Sequence, residues 1–194
     1  MKNLIFSPAL VFSIGLVGCS EKTSDEEALI KEASNKETLP LGDNEDGKVS
    51  KEVYKQIKVG ITSEEVFNII GSKGTVVSLS DSDDDSHNTA IYKFETDSES
   101  SVSEMTFVGD KLSYKAQLGL ETSEIKINLG QLNKLEKGIS KEEAFKILGG
   151  KGAIIAESDV LEIYSYNNST SDADVTVVFI EDKFKSTGEL KSSL

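Results

Sequence analysis

The chain has 194 residues, of which 34 are acidic and 21 basic, for a formal charge of −13 at pH 7. That length suits one larger or two small domains, and the acidic balance excludes nucleic-acid binding led by phosphate neutralisation. The one cysteine, Cys19, excludes an intramolecular disulfide and a cysteine-built metal site.

At the start, Lys2 precedes an apolar run from Leu4 to Val17. A membrane-spanning helix needs roughly 20 apolar residues, so this shorter run predicts a signal peptide over residues 1–18. Its end, Leu16-Val17-Gly18-Cys19, resembles the bacterial lipobox, so cleavage is expected between Gly18 and Cys19, with Cys19 lipidated. Acyl chains contribute about 0.8 kcal/mol per buried CH₂. The expected partner of Cys19 is therefore the lipid bilayer, and the expected location is the extracytoplasmic face of the cell membrane. Residues 19–49 are polar and acidic, with Pro40, and too few apolar groups to offset the entropy of folding. They predict a disordered tether.

Beyond it the chain repeats itself. Gly60-Ile61-Thr62-Ser63-Glu64-Glu65-Val66-Phe67 returns 78 residues later as Gly138-Ile139-Ser140-Lys141-Glu142-Glu143-Ala144-Phe145. Ile91-Tyr92-Lys93-Phe94 matches Ile163-Tyr164-Ser165-Tyr166, and Phe107–Leu112 matches Phe179–Phe184. Ordered matches of this kind predict a duplicated domain, residues 50–120 and 121–194. In each copy a first helix carries apolar residues (Val53, Tyr54 and Ile57; Leu132 and Leu135). Thr62–Glu65 and Ser140–Glu143 are capping boxes that open a second helix, and Gly71 and Gly149 end it. Strands are expected at Thr75–Leu79, Thr89–Glu95, Val102–Val108 and Lys111–Leu118. The second set is Ala153–Ala156, Leu161–Tyr166, Val175–Ile180 and Lys183–Leu190, with hairpin turns at Gly109-Asp110 and Glu181-Asp182. The fold class that follows is α+β: two tandem helix-helix-sheet modules, each a four-stranded antiparallel sheet packed by a helix pair on one face.

No chemistry-bearing constellation emerges. His87 is the only histidine and has no cysteine to pair with. Asp81-Ser82-Asp83-Asp84-Asp85 has the spacing of a calcium loop, but Ser86 stands where the loop needs glycine and Tyr92 where it needs glutamate. Glu64/Glu65 and Glu142/Glu143 sit in first helical turns, where capping and the helix dipole account for them. The Gly-Ser-Lys-Gly and Gly-Gly-Lys-Gly runs follow helices, whereas a phosphate cradle precedes one. No metal, no cofactor and no catalytic residue is expected. What remains are surfaces: the hairpin tips, with Asp97, Glu99, Asn167, Asp172 and Asp174, and the open sheet faces. Period-two alternation leaves Tyr92, Tyr164 and Tyr166 between open face and core; Tyr92 and Tyr164 join the tips as the candidate partner surface.

The segments Tyr54–Thr62, Leu132–Ser140 and Tyr114–Leu118 resemble the tandem-repeat fold of the secreted β-lactamase inhibitory proteins and related small lipoprotein domains of Gram-positive bacteria. The Gly-Ile-Thr/Ser helix start is also similar to the small outer-membrane-assembly lipoprotein of Gram-negative bacteria. The resemblance implies a non-enzymatic module that binds another envelope or secreted protein, with hairpin loops entering the partner's cleft. It also implies two narrower roles: inhibition of a secreted hydrolase such as a β-lactamase, or envelope assembly. The inhibitor's modules carry disulfides and large aromatic and basic groups on the open sheet face. This chain has neither a cysteine pair nor Trp, and Thr176 and Val178 fall on that face.

Overall fold

The computed structural model describes residues 46–80 and 87–190. The expected leader, the Gly18–Cys19 cleavage site, the lipidation of Cys19, the tether up to residue 45 and acidic residues 81–86 lie outside the described residues.

Local chemistry sets the helix starts. Ser50 caps α1 (Lys51–Gln56), its Oγ accepting from the Val53 N–H at 3.2 Å. Thr62 caps α2 (Ser63–Ile70) in a complete capping box: its Oγ1 accepts from the Glu65 N–H, and the Glu65 carboxylate accepts from the Thr62 N–H at 2.8 Å. Ser140 and Glu143 repeat the arrangement at the start of α4 (Lys141–Leu148). Gly71 and Gly149 stop these helices in the left-handed conformation, with φ of 77° and 90°. At helical spacing, Val66 and Ile70 of α2 and Ala144 and Leu148 of α4 point into the interior. The predicted first helix of the second half shrinks to the single turn α3 (Leu129–Leu132), and Leu135 lies beyond it. One turn cannot propagate the bonds that offset its nucleation, so it survives on its Asn128–Gln131 caps.

Eight strands fall close to their predicted bounds: β1 (Thr75–Ser80), β2 (Thr89–Phe94), β3 (Val102–Val108), β4 (Lys111–Leu118), β6 (Ala153–Ser158), β7 (Leu161–Asn168), β8 (Asp174–Ile180) and β9 (Lys183–Leu190); the two-residue β5 (Lys126–Ile127) is not among those expected. Their assembly corrects the expected fold class. Instead of two four-stranded sheets in an α+β pair of modules, there is one β-rich, nine-stranded sheet in the order β1-β2-β3-β4-β6-β7-β8-β9, with short helices. The joint is an antiparallel ladder, Tyr114↔Ser158, Lys115↔Glu157 and Ala116↔Ala156. Two separate sheets would each expose two raw edges of unpaired N–H and C=O groups; joining β4 to β6 removes one edge from each. β5 adds a two-residue parallel pairing at the far end of β7.

The core lies between the helices and one side of the sheet, in two clusters. Val49, Tyr54, Ile57, Val66, Ile70, Phe94, Met105, Phe107 and Leu112 form the first. The second contains Ile127, Ala144, Leu148, Tyr164, Tyr166, Val175, Val177, Phe179 and Phe184. Val49, at the predicted end of the tether, is fully buried, and its N–H donates to the Glu95 carbonyl at 2.8 Å.

Candidate partner-binding face

Strand alternation divides the sheet. In β3, Ser103, Met105 and Phe107 are buried towards the helices, so Val102, Glu104, Thr106 and Val108 occupy the other side. In β8, Val175, Val177 and Phe179 are buried, leaving Asp174, Thr176, Val178 and Ile180 opposite. Register then links this open side into a row crossing seven strands: Lys93, Glu104, Ala116, Ala156, Ile163, Val178 and Ser186. A second row runs Ile91, Thr106, Tyr114 and Ser158, and the pair Leu161↔Ile180 lies further along. Charge is confined to the Lys93↔Glu104 pair at one end of the first row. From Ala116 to Ser186 that row is uncharged, in a chain with 28% charged residues. A charge-poor, part-apolar centre rimmed by polar residues is the composition of a protein-contact surface. Tyr114 is its aromatic member among these rows, half-buried, with burial holding its hydroxyl above the ordinary tyrosine range.

The hairpin tips flank this face. β2 and β7 run in the same direction through the antiparallel order, so both tips lie at one end of the sheet. Asp97, Glu99 and Asp172 are exposed there. The first tip is closed by its own hydroxyls, Ser101 Oγ donating to Thr96 Oγ1 at 2.7 Å. In the second, Asn168 Oδ1 accepts from the Thr170 N–H at 2.9 Å. Asp174 accepts from Ser165 Oγ at 3.2 Å, and the Asn167 N–H donates to the Ile125 carbonyl at 3.1 Å. Asp174 and Asn167 therefore serve the tip's own structure as well as its surface.

The tyrosines take the other side. Tyr92 is half-buried with its ring centroid 5.3 Å from Phe67 and 5.6 Å from Phe107. Tyr164 is 1% exposed, packed 5.1 Å from Phe145, and its hydroxyl donates to Glu162 Oε1 at 3.0 Å. Burial, then the Glu162 charge, raises that hydroxyl far above the ordinary range. Tyr166 is fully buried, donates to the Gly150 carbonyl at 3.0 Å, and is pushed up to about 12 by burial. Tyr164 thus belongs to the second core cluster, and Tyr92 packs half-buried against the first, both on the helix side of the sheet. Aromatic bulk gains more from the helix side, where α2 and α4 supply Phe67 and Phe145 as edge-on neighbours.

Among the described residues, no group of three or more His, Cys, Asp or Glu could hold a metal ion. No helix among them is long and apolar enough to cross a membrane. His87 is exposed just ahead of β2, and its carbonyl accepts from Thr89 Oγ1 at 3.4 Å.

A family model for β-lactamase inhibitors (BLIP) matches residues 50–179, two thirds of the length. The chain belongs to the β-lactamase inhibitor family. The span matched within this family opens at Ser50, the cap of α1, and closes at Phe179, in the second core cluster. Among solved structures, a candidate β-lactamase inhibitor protein from Streptococcus mutans, determined at 1.40 Å, is 15% identical with a TM-score of 0.48. The likeness covers 75% of this chain and 90% of that one. No curated protein sequence matches the chain.

Two polar residues of this inhibitor-family chain escaped the sequence reading. Lys115 and Gln117 were placed in a strand without a role, yet they are 2% and 4% exposed on the helix side of β4. No signal in the sequence marks them: the residues in the same places of β9, Thr187 and Glu189, are polar too, and only the structure shows that the β4 pair is buried while the β9 pair is exposed.

Proposed function

We propose that this chain is a non-enzymatic module that binds a partner protein across the open face of its sheet. The observation that supports the reading is the uncharged row Ala116–Ala156–Ile163–Val178, half-buried except for the buried Ala156, which spans both halves of a β-lactamase inhibitor family member. The acidic tips at one end add charge at the rim, where it steers encounter more than it holds the complex. Residues 50–120 and 121–194 are read as two copies of one module, which the paired capping boxes and matching strand order support. In this proposal Cys19 is lipidated after cleavage of residues 1–18 and holds the module at the extracytoplasmic face of the membrane; residues 19–45 give it reach.

A photo-crosslinking residue at Ile163 or Val178, with Glu52 on α1 as control, tests the partner face in living cells. Discrete protein adducts from the open face and none from Glu52 support it; adducts from neither open-face position overturn it. For the anchor, Cys19→Ala moves the protein from the membrane fraction to the soluble one; retention in the membrane removes that part of the reading.

Family membership favours a second, narrower reading, inhibition of a secreted hydrolase such as a β-lactamase. Such interfaces are anchored mainly by Trp, Tyr and Arg, and Tyr114 alone represents those types in the open-face rows. A panel of β-lactamases left fully active by micromolar protein ends this narrower reading and leaves the broader one intact.

A further inference from the structure

The two core clusters share no residue, and the sheet passes from one half to the other through three residue pairs. On the helix side of that seam stands Lys115. Its ammonium has three hydrogens and three acceptors: the Tyr54 carbonyl at 2.9 Å, the Ile57 carbonyl at 2.6 Å and Glu157 Oε1 at 2.8 Å. It also lies 4.2 Å from the centroid of the Tyr54 ring. The carbonyls belong to the end of α1, in the first half, while the carboxylate belongs to β6, in the second. Beside it, Gln117 Nε2 donates to the Ile154 carbonyl of β6 at 2.7 Å, while its Oε1 accepts from the Leu120 N–H at 3.0 Å. Both buried polar side chains therefore tie one half to the other.

The second half supplies an internal control. The β3–β4 and β8–β9 hairpins share register and bulge: Phe107↔Leu112 and Thr106↔Tyr114 correspond to Phe179↔Phe184 and Val178↔Ser186. The place of Lys115, opposite Met105, is taken by Thr187, opposite Val177; that of Gln117 is taken by Glu189. Among the described residues β9 is an edge strand of the sheet, and Thr187 and Glu189 are exposed. A strand with no described strand on its outer side thus does without the lysine and the glutamine. Burying an ammonium is costly unless every hydrogen is paired, so Lys115 serves the joint and not the hairpin that carries it.

We propose that Lys115 is the positioning residue that locks the two halves into one rigid sheet, with Glu157 as its catch and Gln117 as its support. Its consequence, a fixed spacing along the open-face row Ala116–Ala156–Ile163, rests on the partner-face reading above; the lock itself does not.

Hydrogen exchange by mass spectrometry on the full chain, with no partner present, tests the lock in Lys115→Met and Glu157→Gln. Peptides covering residues 113–118 and 154–158 are expected to lose at least about tenfold in protection in Lys115→Met and less in Glu157→Gln. The β2–β3 and β7–β8 ladders are expected to keep theirs, a pattern that general destabilisation does not produce. Should Lys115→Met not fold, Glu157→Gln decides, since it keeps shape and volume. Unchanged seam protection in the folded variants, or a loss spread evenly over all ladders, overturns the proposal. Failure of the open-face crosslinks would remove the partner reading and leave this result untouched.

Discussion

The Lys141 ammonium lies 2.5 Å from Asp182 Oδ1, joining the first turn of α4 to the β8–β9 turn, and it also pairs with Glu162. The backbone repeats the link, the Lys141 N–H donating to the Asp182 carbonyl at 2.9 Å. In the first half the same two positions are joined by other chemistry: Ser63 Oγ donates to Asp110 Oδ1 at 2.5 Å. The hydrogen bond from Lys141, then its charge, holds the Asp182 carboxyl below the usual carboxylate range. A depressed carboxylate contributes stability that is complete above its unfolded pKa and is lost as pH falls through the folded value. Asp182→Asn should therefore flatten part of the decline in urea midpoint between about pH 5 and about pH 2. An identical acid profile in the variant would show that the pair contributes nothing.

Thr62→Ala and Ser140→Ala each remove the hydroxyl of a complete capping box. Each should cost about 1 kcal/mol of stability in urea unfolding, and the paired substitution roughly the sum, because the two sites share no contact. A cost near zero at either position would mean that packing alone holds that helix start.

Gly152 separates α4 from the sheet at a point of close approach. A Cβ there would collide with the Ser165 carbonyl and stand 2.8 Å from two ring carbons of Tyr166. Backbone and a buried ring cannot both retreat, so Gly152→Ala should lose about 1–3 kcal/mol or more and lower the melting temperature. A wild-type melting temperature would show that the strand can move aside.

Tyr164→Phe keeps the ring against Phe145 and Phe179 but deletes the bond to Glu162. The expected loss is about 0.5–1.5 kcal/mol, with crosslinking from Ile163 unchanged. A variant of normal stability with weakened partner capture would return Tyr164 to the contact surface.

Much of the local structure was legible in the residues. Thr62–Glu65 and Ser140–Glu143 announced helix starts, and eight strands fell within two residues of their predicted ends, because caps, turns and alternation are settled among near neighbours. The face of each strand was harder to read. The pattern around Tyr92 and Tyr164 alternates equally well either way, and only the placing of Phe67 and Phe145 above them selects the buried side. Of the residues chosen as a candidate surface, Asp97, Glu99 and Asp172 stand exposed at the tips, while Tyr164 is buried and Tyr92 half-buried on the helix side.

By itself, then, the amino-acid sequence determined where the two capping-box helices start and stop, the hairpin turns and eight of the nine strands. Each of these depends on hydrogen bonds and steric preferences spanning a few residues. Tertiary structure decided that the strands form one sheet. β4 and β6 are separated by the whole of β5, α3 and α4, and nothing in their alternation states that their edges meet. Once they meet, Lys115 acquires a meaning absent from its strand: its carboxylate and its two carbonyls come from segments about 40 and 60 residues away, brought together by the same packing that satisfies the edges.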